Sequence, residues 1–468
     1  MPFNSPLFLF AFGPAFFVIF YATPSRYRNV AALLLSVVFY AWAEPLFIFV
    51  VLASSLADYW LVGFFVRLQG GRLKRALATL AVAQGVSILL YFKYAAFLYR
   101  SLAQLTGFDP TPPGLLSPLL PLAVSFVTFE KVTYVVDNYR GIGRPASSLL
   151  NYLTYVFLFP KLIAGPIVKY HDIEPYLDRH TTGLEDFRVG LLRFALGLAK
   201  KVLIADNLSA TVDAAFQAQP NALTAAGAWL GVVCFSFQIY FDFSGYSDMA
   251  IGMARMMGFP LRENFNQPYL SKNFTEFWRR WHISLSSWIR EYLYIPLGGN
   301  RVPQWRLYVN LVVCFALSGL WHGANWTFLI WGLYHGFFLA ADRIGLARLT
   351  RALPDAINIG ATFLLVSIGW VLFRSPDIHH GIGYLHALID PARDVPPLVF
   401  LDQNVLVTLL AACVLSFVPY DWIGRLGRSP RSAQALETSM AWAVALAFVW
   451  SGSRLVATTF IPFLYFRF

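Results

Sequence analysis

Two histidine-bearing segments lie about forty residues apart. An imidazole is the side chain best suited to take a proton from a hydroxyl near neutral pH. The first segment reads Phe277-Trp278-Arg279-Arg280-Trp281-His282-Ile283-Ser284 and continues through Trp288, Arg290 and Pro296 to Gly298-Gly299. The second reads Ser318-Gly319-Leu320-Trp321-His322-Gly323-Ala324-Asn325-Trp326. It sits in a stretch apolar enough for a membrane, where an ionisable residue is expensive and marks a functional candidate. A buried histidine satisfied by a backbone carbonyl is the plainer reading of His322, and residue types alone leave both open. No nucleophile elbow, glycine-rich phosphate loop or His-Glu-x-x-His pattern occurs. A histidine base without a protein nucleophile suits direct acyl transfer between two bound substrates.

Other polar residues in apolar sequence read as structural. If 323–341 is one helix, His322 and His335 stand roughly 220° apart at about 100° per residue, which disfavours a metal pair. Asp242 and Asp248, six apart in Tyr240-Phe241-Asp242-Phe243-Ser244-Gly245-Tyr246-Ser247-Asp248, do not share a helical face. They are expected to pair with arginines of the 262–306 region, because buried charges need partners. Cys234, Cys314 and Cys413 lie in apolar runs without paired spacing, so neither a disulfide framework nor a zinc site is expected. No metal and no prosthetic cofactor is implied.

The elements that position these residues are helices in a membrane. The chain has 468 residues, 57% hydrophobic and only 13% charged; a soluble protein carries about 25% charged residues. Apolar runs of roughly 20 residues recur, the length that spans a bilayer. An all-α, polytopic architecture in one membrane-embedded domain over 1–468 is predicted; a β-barrel would show shorter alternating segments. The net charge of +11 comes without any nucleic-acid-binding motif. It reads as positive loops that hold the topology. No basic residue precedes Arg26, so the first apolar run is expected to be a retained span.

Candidate membrane segments fall at 6–23, 29–43, 45–66, 77–99, 116–137, 149–168, 187–205, 224–243, 306–321, 323–341, 356–373, 399–418, 437–451 and 453–466. Basic residues at Arg26, Arg67, Arg140, Arg343 and Arg425, each with basic neighbours, read as cytoplasmic. Segment 149–168, with Pro160, Gly165 and Pro166, then fits a re-entrant hairpin better than a span. The 259–306 stretch is too charged to cross and is placed on the cytoplasmic side, with some helices in the membrane plane. Within it Trp278, Trp281, His282, Leu285, Trp288 and Ile289 share one helical face, with Arg279, Arg280 and Arg290 on the other. His282 is therefore expected to be buried. Gly323 is expected to break the run 306–341 into two half-helices with His322 near mid-depth.

The two histidine segments, the run Tyr240–Asp248 and Glu263-Asn264-Phe265-Asn266-Gln267-Pro268-Tyr269 resemble the membrane-bound O-acyltransferase family, in its bacterial alginate-acetylating branch. The similarity runs from Arg26-Tyr27-Arg28-Asn29 through Tyr91-Phe92-Lys93-Tyr94 to Pro462-Phe463-Leu464-Tyr465-Phe466-Arg467-Phe468. The resemblance implies a helical fold around a tunnel open to both sides of the membrane. It implies His322 as the catalytic histidine and His282 as the second. Trp281, Trp321 and Asn325 beside them become candidate substrate contacts. Arg279, Arg280 and Arg290 become candidates for CoA phosphates, although a topology signal is the stronger explanation of these arginines. It further implies acetyl-CoA as cytoplasmic donor, a multi-pass place in the bacterial inner membrane, and transfer to an exported polysaccharide with a periplasmic or membrane-anchored acetyltransferase partner. Alginate is the first acceptor expected; cellulose, peptidoglycan and teichoic-acid-type polymers share the chemistry. A transporter or polymer-export component is the rival of another class, and no internal repeat speaks for it.

Overall fold

A computed structural model of the chain describes residues 1–178, 182–391, 395–422, 430–457 and 462–464. Arg425 and Arg428, expected to be cytoplasmic, lie outside the described residues, as do residues 458–461 and 465–466 of the closing segment 453–466. Every regular element among the described residues is helical, as the composition predicts. Five helices are long and apolar enough to cross a membrane: Phe47–Phe65, Gly71–Thr106, Ala225–Met256, Asp355–Arg374 and Ser432–Ala457.

The chain groups into two compact units, Met1–Phe194 with Ser247–Arg262, and Ala195–Tyr246 with Glu263–Phe468. The first unit holds α1 (Gly13–Ala22), α2 (Arg28–Ala43), α3 (Phe47–Phe65), α4 (Gly71–Leu89), α5 (Ala95–Thr106), α6 (Val124–Arg140), α7 (Leu149–Phe157) and α8 (Tyr170–Leu177). Its interior is ionic as well as apolar. Lys131 lies 3.1 Å from Asp58, and Lys161 bonds Glu130, with all four side chains buried. Such pairs meet the requirement that a buried charge be partnered. The expected segment 116–137 begins as a helix only at Val124, because Pro112, Pro113, Pro118 and Pro121 deny the preceding stretch a regular ladder. Helix α7 stops at Phe157, ahead of Pro160, and residues 163–169 continue without regular structure, buried throughout.

The second unit carries both histidine segments. After α9 (Leu184–Ala199) come α10 (Asp206–Gln217), α11 (Ala225–Met256), α12 (Phe274–Arg280), α13 (Ile283–Ile289), α14 (Gln304–His322), α15 (Trp326–Ala341), α16 (Asp355–Arg374), α17 (Ile378–Ile389), α18 (Gln403–Phe417) and α19 (Pro430–Ala457). Helix α19 runs without interruption through the boundary expected between the segments 437–451 and 453–466, as far as Ala457: Gly452 has nothing near it to force a break. Its exposed Trp442, Leu446, Val449 and Trp450 suit a lipid-facing surface. Helix α11 outruns the expected 224–243 because its charges are partnered. Asp242 lies 2.6 Å from Lys201 in the second unit, and Asp248 lies 2.6 Å from Arg193 in the first. The expectation that both aspartates pair with arginines of 262–306 is therefore corrected. Their partners come from the 184–205 segment.

Candidate active site

Helices α14 and α15 form an antiparallel hairpin that closes at Gly323-Ala324-Asn325. This corrects the expectation of two half-helices of one span. The cause is a seam of glycines. A Cβ at Gly319 would lie 2.2 Å from the Phe328 carbonyl oxygen, and one at Gly332 would lie 2.2 Å from that of Phe315. Backbones this close are possible only without side chains. Asn325 caps α15 by accepting from Thr327 N–H at 3.2 Å, and its amide donates to the Pro376 carbonyl at 2.8 Å. His322 is thus the last residue of α14. The helix places it about 28 Å of rise from Gln304, at the hairpin tip rather than halfway along a span.

Helix α12 delivers the other histidine. Asn273 caps it, accepting from Glu276 N–H at 2.8 Å, and Asp342 accepts from Thr275 N–H and Oγ–H at 2.8 and 2.9 Å. From there α12 runs along α15. Phe274 stacks on Phe338 at 4.3 Å, and Trp278 meets Trp331 at 5.8 Å and donates to His335 Nδ1 at 3.2 Å. His335 is fully buried and tied to this seam, which is a supporting role.

The period that joins Trp278 to Ile289 is not one helix. It breaks at His282, whose φ of 44° and ψ of 55° are left-handed. The break has a specific partner. The Asn264 carbonyl oxygen accepts from Ile283 N–H at 2.9 Å, and its side-chain Oδ1 accepts from Ser284 N–H at 3.2 Å and Ser284 Oγ–H at 2.9 Å. These serve the amides that a new helix leaves open at its N-terminus. A non-glycine residue in this region costs about 1–2 kcal/mol, and such outliers cluster at functional sites.

His282 is buried, as its place on the apolar face predicts. Its ring centroid lies 6.4 Å from that of His322, 6.0 Å from Trp321 and 4.7 Å from Phe243. His322 is itself 5% exposed and is ringed by Trp321 at 4.9 Å, Trp331 at 5.2 Å and Phe373 at 5.3 Å. Burial pushes the His282 imidazole down to about 3, so the ring is neutral at physiological pH. Its Nε2 is enclosed and has no hydrogen-bond partner among the described residues. Two imidazoles at this separation can touch one functional group from two sides.

A cavity of about 980 Å³ opens at the hairpin tip, lined by Gly323, Asn325, Phe328, Phe373, Arg374 and His379 among others. Phe328 and Phe373 meet at 4.9 Å in its wall, and the Phe373 ring also packs against His322 at 5.3 Å. Arg374 is held by Asp213 at 2.7 Å. Of the sequence candidates, Trp321 and Asn325 belong to this neighbourhood. Trp281 is buried between Phe265 at 5.1 Å and Trp370 at 5.0 Å, in the packing beneath it. Arg279 and Arg290 are exposed, and Arg280 is engaged by Glu276 at 2.8 Å. Asn264, Phe243, Trp331 and Phe373 were not among the sequence candidates for the site. For Asn264 a signal existed, since it lies in the Glu263–Tyr269 run. Phe243 had the same signal, in the Tyr240–Asp248 run; Trp331 and Phe373 had none. Among the described residues no cluster of three His, Cys, Asp or Glu side chains could hold a metal ion.

Comparison with known proteins supplies the family. Residues 91–355 match the membrane-bound O-acyltransferase family. The chain is 40% identical, over 100% of both chains, to a probable alginate O-acetylase of Pseudomonas putida. It is 36% identical to a peptidoglycan O-acetyltransferase of Helicobacter pylori, over 83% of this chain and 79% of the relative. To a teichoic acid D-alanyltransferase of Bacillus subtilis it is 29% identical, over 55% of this chain and 70% of the relative. The chain belongs to the membrane-bound O-acyltransferase family and is an O-acyltransferase.

Proposed function

We propose, with that membership as premise, that the chain moves acetyl groups from cytoplasmic acetyl-CoA across the bacterial inner membrane for O-acetylation of an exported polysaccharide, alginate first among the candidates. The observation that carries this is the meeting of His282 and His322, 6.4 Å apart and buried, from segments forty residues apart in the chain. His322 is the general base at the acceptor hydroxyl. His282 sits beside it on the donor side, reached from the charged 259–306 stretch. The cavity at the hairpin tip is the acceptor-side mouth, since α14 separates it from Gln304 by about the thickness of a bilayer core. Together they make one tunnel, in which thioester and hydroxyl reach a contact of about 3–3.5 Å.

Transfer frees CoA thiol as the acyl–sulfur bond breaks and the acyl–oxygen bond forms. The hydroxyl proton passes to the base and then to the thiolate. Arg279 and Arg290, exposed on the donor side, attract the CoA phosphates. A periplasmic or membrane-anchored acetyltransferase completes delivery to the polymer. The kinship with a peptidoglycan O-acetyltransferase keeps a second acceptor class in play. The test is the acetyl content of polymer from cells whose sole copy carries His322→Ala, with membrane levels of the protein verified. Loss of polymer acetate is expected; normal acetate with the variant would defeat the assignment.

A further inference from the structure

We propose that Asn264 is a positioning residue that locks His282 as its Nδ1–H tautomer, so that His282 meets substrate through the lone pair of Nε2 and acts only as an acceptor. One oxygen decides the tautomer. A backbone N–H can only donate, so the Asn264 atom 3.2 Å from Ser284 N is the side-chain oxygen, not the amide nitrogen. That oxygen lies 3.1 Å from His282 Nδ1. An oxygen without a proton obliges Nδ1 to donate. In a neutral imidazole the other nitrogen is then the acceptor, and here it is enclosed with no hydrogen-bond partner among the described residues.

The same contact explains the backbone. Helix α13 starts on Asn264, and the left-handed turn at His282 is what brings Nδ1 to the capping oxygen. One asparagine therefore sets the helix break, the ring's orientation and its proton. The consequence for chemistry is specific. In this state His282 cannot donate to a thioester carbonyl. It accepts a hydrogen bond from an O–H or N–H of substrate, while the hydroxyl proton goes to His322. The inference rests on the proposed reading for its chemical consequence, but not for the tautomer.

The groups facing His282 make its protonation state interpretable. From α14 the titratable neighbour is His322. From α11 it is faced by Phe243, while the adjacent Asp242 is taken by Lys201. From the 263–273 loop Asn264 faces it, with Glu263 exposed to solvent. Among the described residues no carboxylate pairs with the ring, so introducing one at 264 has a readable effect.

Two measurements test the inference. Nitrogen NMR of the histidine-labelled protein, with His282 assigned by comparison with a His282→Gln sample, should show Nδ1 protonated and Nε2 bare in the wild type. In Asn264→Ala the two tautomers should mix. A wild type with Nε2 protonated overturns the inference and leaves the proposed function standing. Acetyl transfer is then followed against pH. Asn264→Ala should lose about 10- to 100-fold in kcat, the scale for removing a ring-orienting partner. Asn264→Asp keeps the accepting oxygen and adds a charge, which raises the histidine by about 1–3 pH units. It should fold, retain activity at alkaline pH and acquire an acid limb that the wild type lacks. An Asn264→Asp profile identical to wild type, or one depressed equally at every pH, contradicts the positioning role.

Discussion

The tightest constraint on the site is the glycine seam of the α14–α15 hairpin, and Gly332→Ala probes it with a single methyl group. That methyl would sit 2.2 Å from the Phe315 carbonyl oxygen and 3.0 Å from its carbon. Both obstacles are backbone, so no side chain can swing aside. Ordinary contact begins near 3.5 Å, so the two helices must part by about 1 Å. Alanine is favoured over glycine in a helix by about 1 kcal/mol. Overpacking costs typically 1–3 kcal/mol and more where backbone must move, so clash wins and the variant is destabilised by about 1–2 kcal/mol. His322 ends one of the two helices, and a misplacement of about 1 Å can cost about 100-fold in rate. The assay pairs thermal unfolding of detergent-purified protein, read by size-exclusion recovery, with polymer acetylation in cells. Gly360→Ala is the control, because it lies exposed on α16 with nothing within 4 Å. It should melt at or above the wild-type temperature with normal activity. If Gly332→Ala behaves like this control, the close approach of α14 and α15 is not what places His322.

Three further outcomes are expected. Lys201→Met leaves Asp242 and Asp206, each 2.6 Å from the lysine, without their shared cation, and stability should fall by about 3–5 kcal/mol; the check is thermal unfolding, and Lys201→Met with Asp242→Asn should recover part of the loss. His171 is raised above its ordinary 6.5 by its hydrogen bond to Asp137. A raised histidine stabilises fully below its unfolded value, and that contribution fades as pH rises through the raised one. His171→Gln should flatten the stability profile in that window, and an unchanged profile would deny the pair any weight. Arg279→Ala with Arg290→Ala should raise KM for acetyl-CoA several-fold with kcat preserved, and should leave KM for a phosphate-free acyl thioester unchanged.

Much of this architecture was legible in sequence because membrane helices advertise themselves by length and apolarity. The pairing of His282 with His322 came from residue type and family resemblance, and the burial of His282 from its helical phase with Trp278 and Leu285. The same periodicity concealed the break at His282. Nothing local stops that helix; the capping oxygen comes from Asn264, eighteen residues upstream, and a side chain that acts across a loop has no periodic signature. The partners of Asp242 and Asp248 were misplaced for a related reason. Sequence shows which charges need partners, but Lys201 and Arg193 are neighbours only through tertiary packing. For the hairpin a signal was present and overlooked. Gly319, Gly332 and Gly336 flank Gly323 on both sides, and small residues so distributed suit two helices in close contact better than one interrupted span.

Thioester turnover by the purified protein in sealed liposomes tests transfer across the membrane most directly. Acetyl-CoA is supplied only on the side bearing the 259–306 stretch, and acceptor polysaccharide with the periplasmic partner on the other. Free CoA thiol should appear on the first side and ester-linked acetate on the second, in equal amounts, with both lost in His322→Ala. Thiol release that persists undiminished in His322→Ala, or acetate that appears only on the side where acetyl-CoA was added, would contradict it.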